Sequence, residues 1–175
     1  MSDRIAIFID GSNLFYCLTA EFNRLDLDYR RFVEELTKQV GENARLVRVY
    51  YYDAPVRREN DPRRYKKQQR FLEYLRELPQ FRVELGRLEG PSDNLREKGV
   101  DIRIATDMLQ YASIYDVAIL VTGDGDFAYV VRAVQNLGKQ VINAIGPRSQ
   151  SRELRQTCDF TISLTRETLK RCARR

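Results

Sequence analysis

The chain has 175 residues, 43% of them hydrophobic and 31% charged, so its length suits one domain and its composition can form a core. It contains no histidine, which excludes Ser-His-Asp and Cys-His catalysis, histidine-ligated zinc and an imidazole general base. Any catalysis falls to carboxylates, amines, hydroxyls or a hard metal ion. The net charge of +5 is compatible with a polyanionic partner. Cys17, Cys158 and Cys172 are odd in number and lack zinc-ribbon or redox spacing. No apolar run approaches the roughly 20 residues that span a bilayer, and the first residues carry no signal-peptide pattern. A cytoplasmic location with no membrane partner is therefore expected.

In chain order, Arg4 to Asp10 (RIAIFID) reads as a buried strand, followed by a polar turn. Tyr29 to Val40 sets Phe32, Val33, Leu36 and Val40 on one helical face, with Asp28 as N-cap and Gly41 as stop. Ala44 to Tyr52 is a second strand. Asp61-Pro62 starts a helix that runs to about Leu78, before Pro79, burying Phe71, Leu72 and Leu75. Phe81 to Leu88 looks like an edge strand, and Glu89 to Gly99 a loop. Val100 to Tyr111 has helical spacing through Ile104, Met108 and Tyr111. Asp116 to Thr122 is a central strand, and Asp126 to Leu137 a helix with Val130, Val131, Val134 and Leu137 inward. Gly138 ends it, and Val141 to Ile145 is another strand. Ser149 to Thr157 reads as a helix, Phe160 to Leu164 as a last strand, and Thr165 onward as a terminal helix. This alternation predicts an α/β sandwich with a mainly parallel sheet, in a single domain over residues 1–175.

Ligands of open parallel sheets bind at the carboxyl ends of the strands. Two predicted strands end there in acidic turns, Asp10-Gly11-Ser12-Asn13 and Thr122-Gly123-Asp124-Gly125-Asp126. If those strands are neighbours, Asp10, Asp124 and Asp126 converge. Clustered carboxylates repel, and a divalent cation is the simplest compensation. Mg²⁺ or Mn²⁺ accepts oxygen ligands alone, as a chain without histidine requires. Asp and Gly are also ordinary turn residues, so either turn taken singly reads as structure, and it is the pair at two strand ends that points to a site.

Lys98-Gly99-Val100-Asp101 adds a third candidate, with Asp101 in the first turn of a helix. There it either joins the acidic group or only complements the helix dipole. Asp107 lies six residues on, about 240° round the helix, and is expected to support rather than to ligate. Gly123 to Ala128 (GDGDFA) loosely fits a dinucleotide-binding spacing, but its two aspartates would repel a pyrophosphate.

Ile9-Asp10-Gly11-Ser12-Asn13, Lys98-Gly99-Val100-Asp101 and Thr122-Gly123-Asp124-Gly125-Asp126-Phe127, in this order, resemble the NYN domain. That domain is a branch of the PIN-like nucleases, and the likeness is greatest to bacterial LabA-like members. Asp159-Phe160 resembles the family's end. The resemblance implies a Rossmann-like, PIN-type three-layer sandwich. It also implies a metal site for Mg²⁺ or Mn²⁺ at Asp10, Asp101, Asp124 and Asp126, with Asn13 as a polar neighbour. The implied reaction is phosphodiester hydrolysis, above all of RNA. In that setting Ser12 and Thr122 support the site by hydrogen bonding, and Lys98 steadies a phosphate or is simply solvated.

The rest of the chain suits a polyanion. Arg57, Arg58, Arg63, Arg64, Lys66, Lys67 and Arg70 cluster round one helix start and could track phosphates. Arg148, Arg152 and Arg155 form a second basic group. One of Tyr50, Tyr51 and Tyr52 could stack on a base; the alternative is a core role. Lys170, Arg171, Arg174 and Arg175 read as a soluble helix end. Two competing functions remain: a nucleic-acid-binding or regulatory module with little turnover, and a phosphohydrolase for a small phosphate ester. The oligomeric state, a homodimer included, is left open.

Overall fold

The structure is a computed structural model that describes residues 2–91, 94 and 96–174. The first strand, β1 (Arg4–Asp10), is apolar on both faces and becomes central. It is followed by α1 (Gly11–Phe22), α2 (Tyr29–Val40), β2 (Arg45–Asp53), α3 (Pro62–Glu77) and β3 (Phe81–Leu85). A short hairpin of β4 (Arg87–Glu89) and β5 (Arg96–Lys98) leads to α4 (Val100–Gln110) and β6 (Val117–Val121). Then come α5 (Ala128–Asn136), β7 (Gln140–Ile145), α6 (Arg152–Thr157), β8 (Phe160–Ser163) and α7 (Arg166–Arg171).

Six strands form one parallel sheet in the order β3-β2-β1-β6-β7-β8. Strand alternation sorts the side chains into two cores. Ile5, Ile7 and Ile9 pack with Val49 and Tyr51 against Leu14 and Leu18 of α1, Phe32 and Leu36 of α2, Leu72 and Leu75 of α3, and Leu169 of α7. Ala6 and Phe8 face the other way, with Tyr50, Ala118 and Leu120, onto Ile104 and Met108 of α4, Val131 and Val134 of α5, and Leu154 of α6. The result is the expected three-layer α/β sandwich. The chain winds outward from β1 to β3 and returns to place β6 on the other side of β1. The order reverses between β1 and β6, which is where a parallel sheet opens a crevice.

Several local readings change. The segment after Asp10 is a helix, not a polar turn: Asp10 is its N-cap, accepting from Asn13 N at 3.2 Å. Its inward residues Leu14, Cys17, Leu18 and Phe22 carry ordinary helical spacing. The edge strand stops at Leu85, and part of the predicted loop forms the β4–β5 hairpin; residues 92, 93 and 95 of that loop lie outside the described residues. The helix expected from Asp126 opens with a 3₁₀ turn, Gly125–Phe127, and ends at Asn136, leaving Leu137 54% exposed rather than inward. The helix expected from Ser149 begins at Arg152, because the Ser151 side chain accepts from Leu154 N at 3.1 Å and caps it. The caps Asp28 and Asp61 stand as expected, accepting from Arg31 N and Arg64 N. At the C-terminal helix end, Arg175 lies outside the described residues.

At the amino edge of the sheet Arg4 clamps β1 to the start of β6. Its Nη2 and Nε donate to Asp116 Oδ1 and Oδ2 at 2.8 and 3.0 Å, and its backbone N donates to Oδ2 at 3.0 Å. Hydrogen bonding from Arg4 holds the Asp116 carboxyl well below the ordinary carboxylate range. A carboxyl depressed by folding stabilises above its unfolded value, near pH 4, and loses that contribution as pH falls through its folded value. Asp116→Asn is therefore expected to lower the melting temperature at pH 7, with the gap to the parent narrowing below about pH 3. Thermal melts followed by circular dichroism at the two pH values check this.

Candidate active site

β1 and β6 run side by side, with Ile9 beside Val121, so the residues that follow them meet at the crevice. Thr122, fully buried, links the two strand ends: its Oγ1 donates to Asp10 Oδ2 at 3.2 Å and accepts from Asp124 N at 3.3 Å. Asn13, in the first turn of α1, accepts from Gly123 N through Oδ1 at 2.7 Å. Asp124 Oδ1 accepts from Asp126 N at 2.9 Å and so shapes the turn into the 3₁₀ segment. Gly99 takes a left-handed conformation, φ 85°, which turns the chain from β5 into α4 and sets Asp101 in the helix's first turn.

These elements enclose an open cleft of about 350 Å³. Asp10, Asp101 and Asp124 line it together with Ser12, Asn13, Tyr16 and Lys98. Three of the four expected aspartates thus share one space. Asp126 lines a neighbouring groove, together with Asp101. The Asp101 carboxyl is raised above its ordinary range, first because the cleft walls displace part of its water, then by the charges of Asp124 and Asp126. The donors are all oxygen, as a hard divalent cation requires, and the crowded negative charge is what such a cation relieves. Among the described residues no three acidic or cysteine side chains stand close enough to form a ready metal cage. Mg²⁺ is commonly held through only one or two carboxylates, with waters completing its shell, so the donor set fits such an ion.

The supporting residues divide. Ser12 Oγ donates to Asp53 Oδ1 at 3.3 Å, tying the cleft floor to the end of β2. Burial raises the Asp53 carboxyl, which also accepts from Gln68 of α3 at 3.4 Å. Lys98 reaches the cleft but pairs with Glu89 at 2.8 Å across the β4–β5 hairpin. Asp107 is buried on the inner face of α4, where it accepts from Tyr52 OH at 2.8 Å, away from the cleft. The three consecutive tyrosines are core residues, which removes them as base-stacking candidates in the folded chain. Tyr50 stacks on Phe8 and Tyr111 at ring distances of 5.1 and 4.9 Å, and Tyr51 packs against Tyr29 and Phe71.

Arg57, Arg58, Arg63, Arg64, Lys66, Lys67 and Arg70 are all exposed on or just before α3. Gln68 and Asp53 connect that helix to Ser12. Arg148 and Arg152 are exposed on the opposite rim, and Arg155 lies further along α6. Their loop rests on the Asp124 turn: Ser151 N donates to Gly123 O at 3.0 Å.

Other positioning residues escape a reading by strand-end motifs. Asn143, fully buried in β7, donates through Nδ2 to Leu120 O and Thr122 O at 3.0 and 2.8 Å and accepts from Gln150 at 2.7 Å. Glu21 of α1 accepts from Ser149 Oγ and Arg148 N at 2.5 and 3.2 Å, holding the loop over the turn. A lone asparagine within the apolar run QVINAI is the signal that could have marked Asn143.

An acid-lined cleft at the switch point of a six-stranded parallel sheet defines an α/β protein of PIN-like fold. Residues 4–165 match the family model of the NYN domain, and the chain belongs to that family. It is similar to "Low amplitude and bright protein LabA" of Synechococcus elongatus, 27% identical over 164 residues that cover 92% of this chain and 83% of that protein. Its structure resembles the crystal structure of a protein of unknown function from Vibrio parahaemolyticus. That pair is 29% identical, with a TM-score of 0.74 and 95% of each chain covered.

Proposed function

We propose that this chain is a metal-dependent nuclease that hydrolyses phosphodiester bonds, with RNA as its substrate. The observation that carries this reading is the convergence of Asp10, Asp101 and Asp124 in one cleft at the carboxyl ends of β1 and β6. Those three carboxylates, with Asp126 in the adjoining groove, would hold Mg²⁺ or Mn²⁺. When bound, the ion activates a water and neutralises charge on the scissile phosphate. Thr122 keeps Asp10 and Asp124 in register, and Asn13 fixes the turn between them. The arginines and lysines of α3, with Arg148 and Arg152, supply cationic rims on two sides for the flanking phosphates. Among the described residues no helix is long and apolar enough to cross a membrane. Action on RNA in the cytoplasm completes the reading.

The test is cleavage of labelled single-stranded RNA with Mn²⁺ or Mg²⁺, beside EDTA and an Asp124→Asn variant. Cleavage that needs the metal and is lost in the variant upholds the proposal. RNA that is bound in a salt-sensitive way but never cut would favour a binding module. That no ready three-ligand metal cage stands among the described residues is the one observation on that side.

Thr122→Val keeps the shape of the side chain and removes both of its bonds at the site. Cleavage is expected to fall by about 10- to 100-fold, the range seen when partners that orient a metal site are lost. Single-turnover rates at saturating Mn²⁺ check it, and a rate equal to the parent's would show that Thr122 does not position the aspartates.

A further inference from the structure

Beside the acidic cleft lies a second groove, of about 470 Å³, between α4 and α5. Ile102, Ala105 and Leu109 recur at helical spacing along its α4 wall, opposite Phe127, Tyr129 and Val130. Tyr129 is 78% exposed and Ile102 is 73% exposed. Large apolar side chains on one contiguous strip of surface mark a binding site more often than chance exposure does. Asp101 lines both spaces, so the groove adjoins the cleft.

We infer that this groove seats an unpaired nucleobase of the RNA, next to the phosphate held in the cleft, with Tyr129 as its stacking face. This rests on the nuclease reading above. No lysine or arginine lines the groove, so a phosphate finds no partner inside it and the part of a nucleotide that fits is its uncharged base. The walls are apolar, and planar base faces stack on exposed aromatic rings irrespective of sequence. The groove runs between helices of only 11 and 9 residues. A base held in a duplex cannot turn into the groove, so the site selects unpaired RNA.

Steady-state cleavage of a single-stranded RNA oligonucleotide with one mapped cut tests this, using Mn²⁺ and variants of the full chain. Tyr129→Ala is expected to raise KM about tenfold with kcat within about twofold, as loss of one stacked base implies. Tyr129→Phe, which keeps the ring, and Phe160→Ala, on the distant β8 edge, are expected to match the parent. An abasic residue beside the cut should cost the parent the same factor and cost Tyr129→Ala nothing more. If Tyr129→Ala discriminates base-bearing from abasic RNA as the parent does, the seat is overturned while the nuclease reading stands. A dimeric parent that Tyr129→Arg makes monomeric in light scattering, with KM unchanged, also overturns it. If the parent cuts no RNA, the nuclease reading falls and the seat is judged by binding alone. Quenching of an oligonucleotide bearing 2-aminopurine that Tyr129→Ala abolishes then upholds it, and quenching insensitive to Tyr129 overturns it.

Discussion

Asp10→Asn is expected to lower metal-dependent cleavage by at least about 100-fold while costing the fold only about 1 kcal/mol. The two effects separate because Asp10 holds two positions at once. As the N-cap of α1 it needs only an acceptor for Asn13 N, and asparagine caps as well as aspartate. As a site residue it needs its charge, which an amide lacks. The small stability loss comes from the other oxygen, which accepts from Thr122 Oγ1 and becomes an amide nitrogen in one orientation of the variant. Asp10→Ala removes the cap as well and should cost about 1–3 kcal/mol. Denaturant titrations beside single-turnover cleavage of labelled RNA distinguish the cases. An Asp10→Asn protein that still cleaves at the parent's rate would remove Asp10 from the chemistry.

Gly123→Ala is expected to destabilise the protein by about 3 kcal/mol or more, at or above the upper end of overpacking effects. A Cβ at this position would lie 1.9 Å from Ser149 O and 2.8 Å from Ser149 C. Both obstacles are backbone, so no side chain can swing aside. The loop over residues 146–151 must lift, or the turn carrying Asp124 must shift. Either movement strains the bond from Ser151 N to Gly123 O and the bond from Gly123 N to Asn13, so cleavage should fall together with stability. Gly41→Ala is the matched control, since nothing lies within 4 Å of a Cβ there and its backbone is extended. It should stay within about 0.5 kcal/mol of the parent. Equal unfolding free energies for the two variants would mean that the Ser149 backbone does not press on Gly123 as the structure indicates.

How far the sequence could be read depended on whether a residue's local chemistry and its tertiary role agreed. RIAIFID and DVAILVT are apolar runs that only a buried strand accommodates, and both proved central. Asp28 and Asp61 cap helices whose apolar stripes begin just after them. The α1 helix was hidden because Asp10, Gly11, Ser12 and Asn13 are turn formers individually, and only the tertiary packing of Leu14, Cys17, Leu18 and Phe22 decides for a helix. The convergence of Asp10 and Asp124 was legible because strand-end turns of neighbouring parallel strands share one side of the sheet, whereas Asp101, in the first turn of α4, was drawn in only by the family resemblance. Asp126 shares the strand-end turn and the family motif with Asp124, but the 3₁₀ turn sets it in the lining of the next groove. The tyrosine triplet offered equal support for stacking and for burial, and the order of strands, with β2 inside the sheet, decided for burial. Asn143, Glu21 and Gln150 act through bonds between distant segments, which no local pattern encodes.

The bond from Thr122 to Asp10 spans 112 residues of chain, and its consequence is temporal. As the polypeptide leaves the ribosome, β1 can pair early with β2, but its other edge waits for β6 while more than half of the chain is made. Until then the edge is open to mispairing, a known hazard of parallel sheets with distant partners. The same delay means that a nascent chain, emerging among ribosomal and messenger RNA, has no assembled acidic cleft. Pairing of β6 with β1 brings Thr122 within reach of Asp10, and β7 and the loop after it must still follow to hold the turn.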